Sequence, residues 1–347
     1  MEFSLRNQKV WVVAGLVLLA TLSCTKTSTN STATATKKTR IGFVLATLNE
    51  ERYAKDRKYF EEAAKAAGAE VEFASCDDKV ALQTSKVETL LSKSIDVLVI
   101  QPVNGEAAGS VVDLAKKDNV PVIAYDRLIR NADIDLYVTQ DSFQVGVLQA
   151  QEAVKQTHEK GNYALLMGEA GHSVAEEITR GVLSVLEKYP QIKIVVKQNH
   201  PGWSTALALA TVENALTRNK NNIQAILANN DGMALGAMQA LEEQKLAGKV
   251  FVAGADADLT AVKNILKGTQ TMTVLKGIKP LAEAAVTAAV SLARKETPKA
   301  DAKMFNGKKE IPVVNTPVTR VVKENIQETI VSSGFHTAEA VFGAPRG

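Results

Sequence analysis

Cysteine is scarce in this chain. Only Cys24 and Cys76 occur, so no disulfide framework staples the fold, and Cys76, in VEFASCDD, reads as a small residue at a strand end. Histidine is equally sparse. His158, His172, His200 and His336 stand far apart, without the spacing that holds a metal. No G-x-G-x-x-G and no P-loop is found, which excludes the usual cradles for dinucleotides and phosphates. GHSVA around Ser173 departs from a hydrolase nucleophile elbow, because Ala175 stands where a second glycine is needed. Basic blocks are missing too: the net charge of +3 is spread along the chain, so nucleic acid is not indicated. These absences point away from an enzyme, and no cofactor or metal is expected.

Long apolar runs are also lacking, with one exception near the N-terminus. VWVVAGLVLLA follows a head carrying Arg6 and Lys9 and precedes TLSC. The run is short for a membrane span. A basic head, a short apolar stretch and the small Ser23 read as an export signal over residues 1–23. Cys24 then resembles the lipidated cysteine of a bacterial lipoprotein site, although Thr21 replaces the Leu that the pattern prefers; the other reading is a plain secretory signal with an incidental cysteine. TKTSTNSTATATKK has no pattern that packs and reads as a tether over residues 24–38. The expected location is the periplasm or the outer face of the cell membrane, with a lipid anchor at Cys24.

What is abundant from Arg40 onward is alternation. Short runs apolar on both faces (RIGFVLA, DVLVIQP, PVIAYD, YALLMG, AILAN, VFVAGAD) alternate with segments of helical period. That pattern predicts an α/β chain of parallel sheets covered on both sides. The length exceeds what one core usually serves, so two doubly wound lobes are expected. DVLVIQPVNG leads through a helix to IAYD, and QAILANNDGM leads through a helix to AGAD, which puts Asp126 and Asp256 at equivalent places. The expected lobes are residues 39–139 with 277–311 and residues 140–276 with 312–347, joined by a hinge of about three crossing strands.

Ligands of open parallel sheets bind beyond the carboxyl ends of the strands. Asp126, Arg127, Asn230 and Asp256 stand at such ends, Arg52 and Tyr53 follow the first strand, and Trp203 follows IKIVVKQ. Hydroxyl-rich ligands suit this set: Asp accepts, Arg donates in a fixed fork, Asn does both, and Tyr53 and Trp203 from opposite lobes offer flat faces to a sugar ring. Each residue also has a plain structural reading. Asp126 with Arg127 is an ion pair, Trp203 a surface plug, Asn230 a turn stabiliser, Asp256 a helix cap. Asp126 is expected chiefly to orient the neighbouring arginine.

The stretches ERYAKDR, VIAYDRLI, ADIDLYV, NNDGMALGAMQAL, GADADL, GTQTMTVLK and SGFH resemble the periplasmic sugar-binding proteins of ABC transporters, and within them the D-xylose-binding branch. The resemblance covers nearly all of residues 40–336. It implies the type I periplasmic binding protein fold, a monomer and a monosaccharide ligand. It implies sugar-binding arginines at Arg52 and Arg127, a stacking Trp203, polar strand-end residues Asn230 and Asp256, and a hinge lysine at Lys276. The first-lobe ring, usually Trp, is Tyr53. Ser173 and Ala175 stand where the family has Asp and Asn, with His172 and Glu176 as nearby substitutes. The implied partner is a membrane ABC permease; a membrane sensor kinase or chemoreceptor is the alternative.

Overall fold

Why the sheets are parallel is visible in their burial. Every side chain of VLVI in the third strand and VIAY in the fourth is buried, which only a sheet covered on both faces permits. The computed structural model describes residues 38–343. Residues 1–37, which hold the expected signal and Cys24, lie outside the described residues.

The first half runs β1 (Arg40–Leu45), α1 (Glu51–Ala66), β2 (Glu70–Ser75), α2 (Val80–Ser92), β3 (Val97–Ile100), α3 (Gly109–Lys117), β4 (Val122–Tyr125) and β5 (Leu136–Gln140). The second half runs α4 (Ser142–Gln156), β6 (Gly161–Met167), α5 (Ser173–Leu186), β7 (Ile192–Asn199), α6 (Thr205–Arg218), β8 (Ala225–Ala228), α7 (Asp231–Glu243), β9 (Phe251–Ala253), α8 (Leu259–Lys267) and β10 (Thr273–Lys276). The chain returns through α9 (Ile278–Ala293), β11 (Ala302–Phe305) and β12 (Glu310–Thr316). It ends with β13 (Val318–Val321) and α10 (Ala338–Phe342).

Three sheets result among the described residues, a main one in each lobe and a small third. The first has the order β11-β12-β5-β4-β3-β1-β2 and is parallel apart from the edge strand β11; the second, β7-β6-β8-β9, is parallel throughout. Strands β10 and β13 form the third, an antiparallel pair beside β9, where Ala253 and Met272 make a bridge. The chain passes from lobe to lobe at Asp141, Gly277 and Pro317, and the passages are tied together: Asp141 N–H donates to Thr316 O at 3.1 Å. The last crossing is later than the expected 311/312 boundary. β12 stays in register with β5 through Thr316, opposite Gln140, so residues 312–316 belong to the first sheet.

Aromatic packing holds α1 on the first sheet. Phe43 of β1 stacks on Phe60 of α1 at 3.8 Å between ring centres, and Tyr125 of β4 meets Phe43 edge-on at 5.3 Å. Such aromatic pairs contribute about 0.5–1.5 kcal/mol each beyond their area. They hold α1 against β1 and β4, and α1 carries Arg52 and Tyr53 in its first turn. Cys76 is buried just past β2, and burial pushes its thiol up to about 11.

Candidate functional site

The end of β4 carries an unusual turn. Arg127 N–H donates to Tyr125 O, two residues back, at 2.6 Å, and Asp126 between them has φ +62°. A residue with a Cβ enters this left-handed region at a cost of about 1–3 kcal/mol. The surroundings hold it there: Asp126 N–H donates to Val138 O at 2.8 Å, and its carbonyl accepts from the Tyr137 hydroxyl at 2.8 Å and the Thr139 hydroxyl at 3.1 Å. The equivalent strand end in the other lobe repeats the device, with Asp256 at φ +98° and its N–H on Val274 O at 2.9 Å.

The turn sends two consecutive charges in different directions. Asp126 does not hold Arg127, as the sequence suggested. Its carboxylate accepts from Arg52 Nη2 at 3.4 Å and from Gln101 Nε2 at 2.9 Å. Burial alone would raise this carboxyl, but Arg52, Lys276 and Arg127 outweigh it and hold it below the ordinary carboxylate range. Arg52 also meets Asp56, one helical turn on, at 3.3 Å, and Asp56 accepts from the Tyr125 hydroxyl. Arg127 instead donates through Nη2 to the Tyr53 hydroxyl at 2.8 Å and through Nη1 to Pro102 O at 3.4 Å.

The second lobe supplies the facing wall. Trp203, in the short turn Pro201–Trp203 after β7, lies so close over Gly168 that a Cβ there would sit 2.5 Å from its ring; only glycine fits. Asn230 caps α7, its side-chain oxygen accepting from Met233 N–H at 2.9 Å, which leaves its NH₂ without a protein partner among the described residues. Lys276, at the end of β10, stands 3.2 Å from Asp256, and Arg52 reaches the same oxygen from the first lobe at 3.8 Å. His172, at the start of α5, meets Trp203 edge-on at 5.1 Å. Burial first, then Arg127, Lys276 and Arg52, push its imidazole down to about 3, so it is neutral.

These residues line a tight cavity of about 30 Å³ between the two main sheets, at the carboxyl ends of their strands. Of the nine residues expected at a ligand, Arg52, Tyr53, Asp126, Arg127, Trp203, Asn230, Asp256 and Lys276 line it. Ser173 does not. Its hydroxyl accepts from Leu128 N–H at 3.0 Å across the cleft, and Ala175 lies buried behind it, away from the cavity.

A family profile described as "Periplasmic binding protein domain" matches residues 41–297. The chain belongs to the periplasmic binding protein family. It is 43% identical over 315 residues to the D-xylose-binding periplasmic protein of Haemophilus influenzae, covering 90% of this chain and 95% of that one. It is 42% identical over 323 residues to the D-xylose-binding periplasmic protein of Escherichia coli, covering 92% and 97%. A carbohydrate transporter solute binding protein from Chloroflexus aurantiacus, solved in complex with D-glucose, superposes with a TM-score of 0.81 at 32% identity, covering 88% of this chain and 98% of that one.

In this periplasmic binding protein, the cavity's formal charges cancel. Arg52, Arg127 and Lys276 face Asp126, Asp256 and Glu50, the last at the exposed rim. An anion or a cation would unbalance the set; a neutral hydroxyl-rich molecule would not. The residues that sequence reading passed over had signals of their own. Asp56 is four residues after Arg52, and Gln101 ends β3 as Asp126 ends β4. Asn229, beside Asn230 in the same strand end, is structural: its oxygen accepts from Gly168 N–H at 2.9 Å.

Proposed function

We propose that this chain is an extracytoplasmic solute-binding protein that captures a monosaccharide, D-xylose first among them, between its lobes and hands it to an ABC permease. The observation that carries the reading is the charge-balanced cavity at facing strand ends, bounded by Trp203 and Tyr53. The names of the xylose-binding relatives and the glucose-bound neighbour support the ligand class. The flat rings would cover the faces of a pyranose while the charged groups take its hydroxyls, and hydrogen bonds to charged groups are the stronger kind. Micromolar binding asks for about 8 kcal/mol net, which several such bonds and ring contacts can supply.

Capture would work by hinge motion at Asp141, Gly277 and Pro317. A ligand drives closure only if it binds the closed state better, and one touching both Arg127 and Asp256 does so. No catalysis is involved in this reading, the protein acts as a monomer, and Cys24 carries a lipid that keeps it at the membrane. The deciding experiment is calorimetric titration with xylose, ribose, glucose and arabinose; a protein that binds none of them is not a receptor for these monosaccharides. A Cys24→Ala chain that still partitions with membranes would remove the lipid anchor from the reading.

A further inference from the structure

We propose that the end of the second lobe farthest from the cleft docks on an anionic phospholipid surface. In the sheet β7-β6-β8-β9 all strands run the same way, so the turns that enter them stand in one row at that end. Hydrogen bonds tie the row together. Gly161 N–H donates to Gln191 O at 3.1 Å, Gln224 N–H to Asn162 O at 2.9 Å and Phe251 N–H to Gln224 O at 3.0 Å. Bases stand along the row. Lys155 and Lys160 flank the turn into β6, Arg218 and Lys220 lie in the turn into β8, Lys245 and Lys249 in the turn into β9, and Lys188 precedes β7; all are exposed. The acids among them, Glu159, Glu187, Glu242 and Glu243, are fewer, and no ion pair joins them to these bases among the described residues.

Helix dipoles account for part of this pattern, since helix C-termini favour cations. They do not account for the missing acids. The first lobe has the same kind of helix ends, and there Lys38 meets Glu70 and Arg40 meets Glu72, each at 3.3 Å, Lys93 meets Glu72 at 2.8 Å and Lys116 meets Asp135 at 2.7 Å. Those acids stand at strand starts, two in β2 and one just before β5. In the second lobe β6 starts with Gly161–Asn162, β7 with Ile192–Lys193, and Gln224 and Val250 precede β8 and β9. The positive charge there is left unanswered. Neighbouring strands lie about 4.8 Å apart, well inside the Debye length of about 8 Å at physiological salt, so charges in adjacent turns act together. Lysine dominates the row, and an ammonium is a hydrated point charge that reads no geometry, whereas the arginine fork grips one phosphate or carboxylate. That composition fits a diffuse array of headgroup phosphates better than a single built anion site. Docking at this end leaves the cleft uncovered.

The test uses the full chain carrying Cys24→Ala, so that no acyl chain contributes, sedimented with vesicles of phosphatidylcholine alone or of equal parts phosphatidylcholine and phosphatidylglycerol. Binding to the mixed vesicles should be tighter by roughly ten-fold or more, and the excess should vanish in high salt. Lys160→Glu, Lys188→Glu, Lys220→Glu and Lys249→Glu combined should abolish the preference without lowering the melting temperature. Glutamine at the same four positions, which removes the charge without reversing it, should weaken the preference less. The same charge reversal on the first lobe, by Lys65→Glu, Lys117→Glu, Lys295→Glu and Lys303→Glu, should leave most of it. A parent chain that does not distinguish the two vesicles overturns the proposal. So does a first-lobe variant that loses as much preference as the second-lobe one, because the attraction then belongs to net charge and not to this face. Tighter binding to a short DNA duplex than to the mixed vesicles overturns it as well.

Discussion

The two walls of the cleft are built on different principles. On the first lobe, charges are paired with each other. Arg52 is clasped by Asp56 and Asp126, Asp126 is completed by Gln101, and Gln101 in turn accepts from Ala46 N–H at 3.2 Å. On the second lobe, more capacity is left open: His172 has two nitrogens without a hydrogen bond and the Asn230 NH₂ is unclaimed among the described residues, while Asp256 Oδ1 is held only by the ion pairs with Lys276 at 3.2 Å and Arg52 at 3.8 Å. The first wall, Arg127 Nε apart, is paired within itself and orients a few donors. The second waits for something to complete it. A receptor made this way would meet its ligand on the rigid wall and gain its remaining hydrogen bonds when the other wall arrives.

The sharpest way to break the contrast is Asp126→Ala. It strips Arg52 of one carboxylate and leaves the Gln101 NH₂ with no acceptor, both in the interior. Breaking a buried charged pair costs about 3–5 kcal/mol, so unfolding in denaturant should show a loss of that size; a loss under about 1 kcal/mol would mean the first wall is not held together by this network. Asp256→Ala should split the other way. Its main cost should fall on binding, roughly 2–3 kcal/mol from a lost charged hydrogen bond, or thirty-fold to over a hundred-fold in Kd for the preferred sugar. Its loss of folding stability should be smaller than that of Asp126→Ala. Equal destabilisation by the two would erase the difference between the walls.

Acid titration reaches the second wall without mutation. The folded His172 imidazole stays neutral down to about 3, whereas in the unfolded chain it protonates near its ordinary 6.5. Its contribution to stability is therefore complete above pH 6.5 and lost progressively as pH falls, because only the unfolded state takes up the proton. One pH unit is worth about 1.4 kcal/mol, so roughly 2 kcal/mol should be gone at pH 5. Burial lowers His200 as well and adds to the slope. The curve of His172→Phe should be flatter than wild type between pH 6.5 and 3; parallel curves would show that His172 is not the group responsible.

Much of this was legible before any coordinates. The alternation of apolar runs and helical segments carried the parallel sheets, and the rule that ligands gather at strand ends collected most of the cavity. What escaped depends on backbone conformation and on distant pairing. Nothing in AYDRL announces that Asp126 sits at φ +62°, and without that sign the carboxylate reads as its neighbour's partner rather than Arg52's. The crossing at Pro317 is set by β12 pairing with β5, strands some 170 residues apart. Asp56 and Gln101 were readable, by helical spacing and by strand position, and were passed over because each looks like an ordinary polar residue in isolation.

Ser173 tests the comparison most gently. Its hydroxyl accepts from Leu128 N–H across the cleft, so it joins wall to wall rather than wall to ligand. Ser173→Ala should remove one hydrogen bond from the closed state, worth about 0.5–1.5 kcal/mol. With closure and capture coupled as proposed, every sugar should then bind between about two- and ten-fold more weakly. The ratios between sugars should not move, because no group facing the ligand has changed. Dissociation constants for xylose and glucose, measured on both proteins, decide the matter. A common factor places Ser173 in the latch between lobes, whereas a changed ratio would return it to the cavity and make the second wall more nearly complete than the hydrogen bonds indicate.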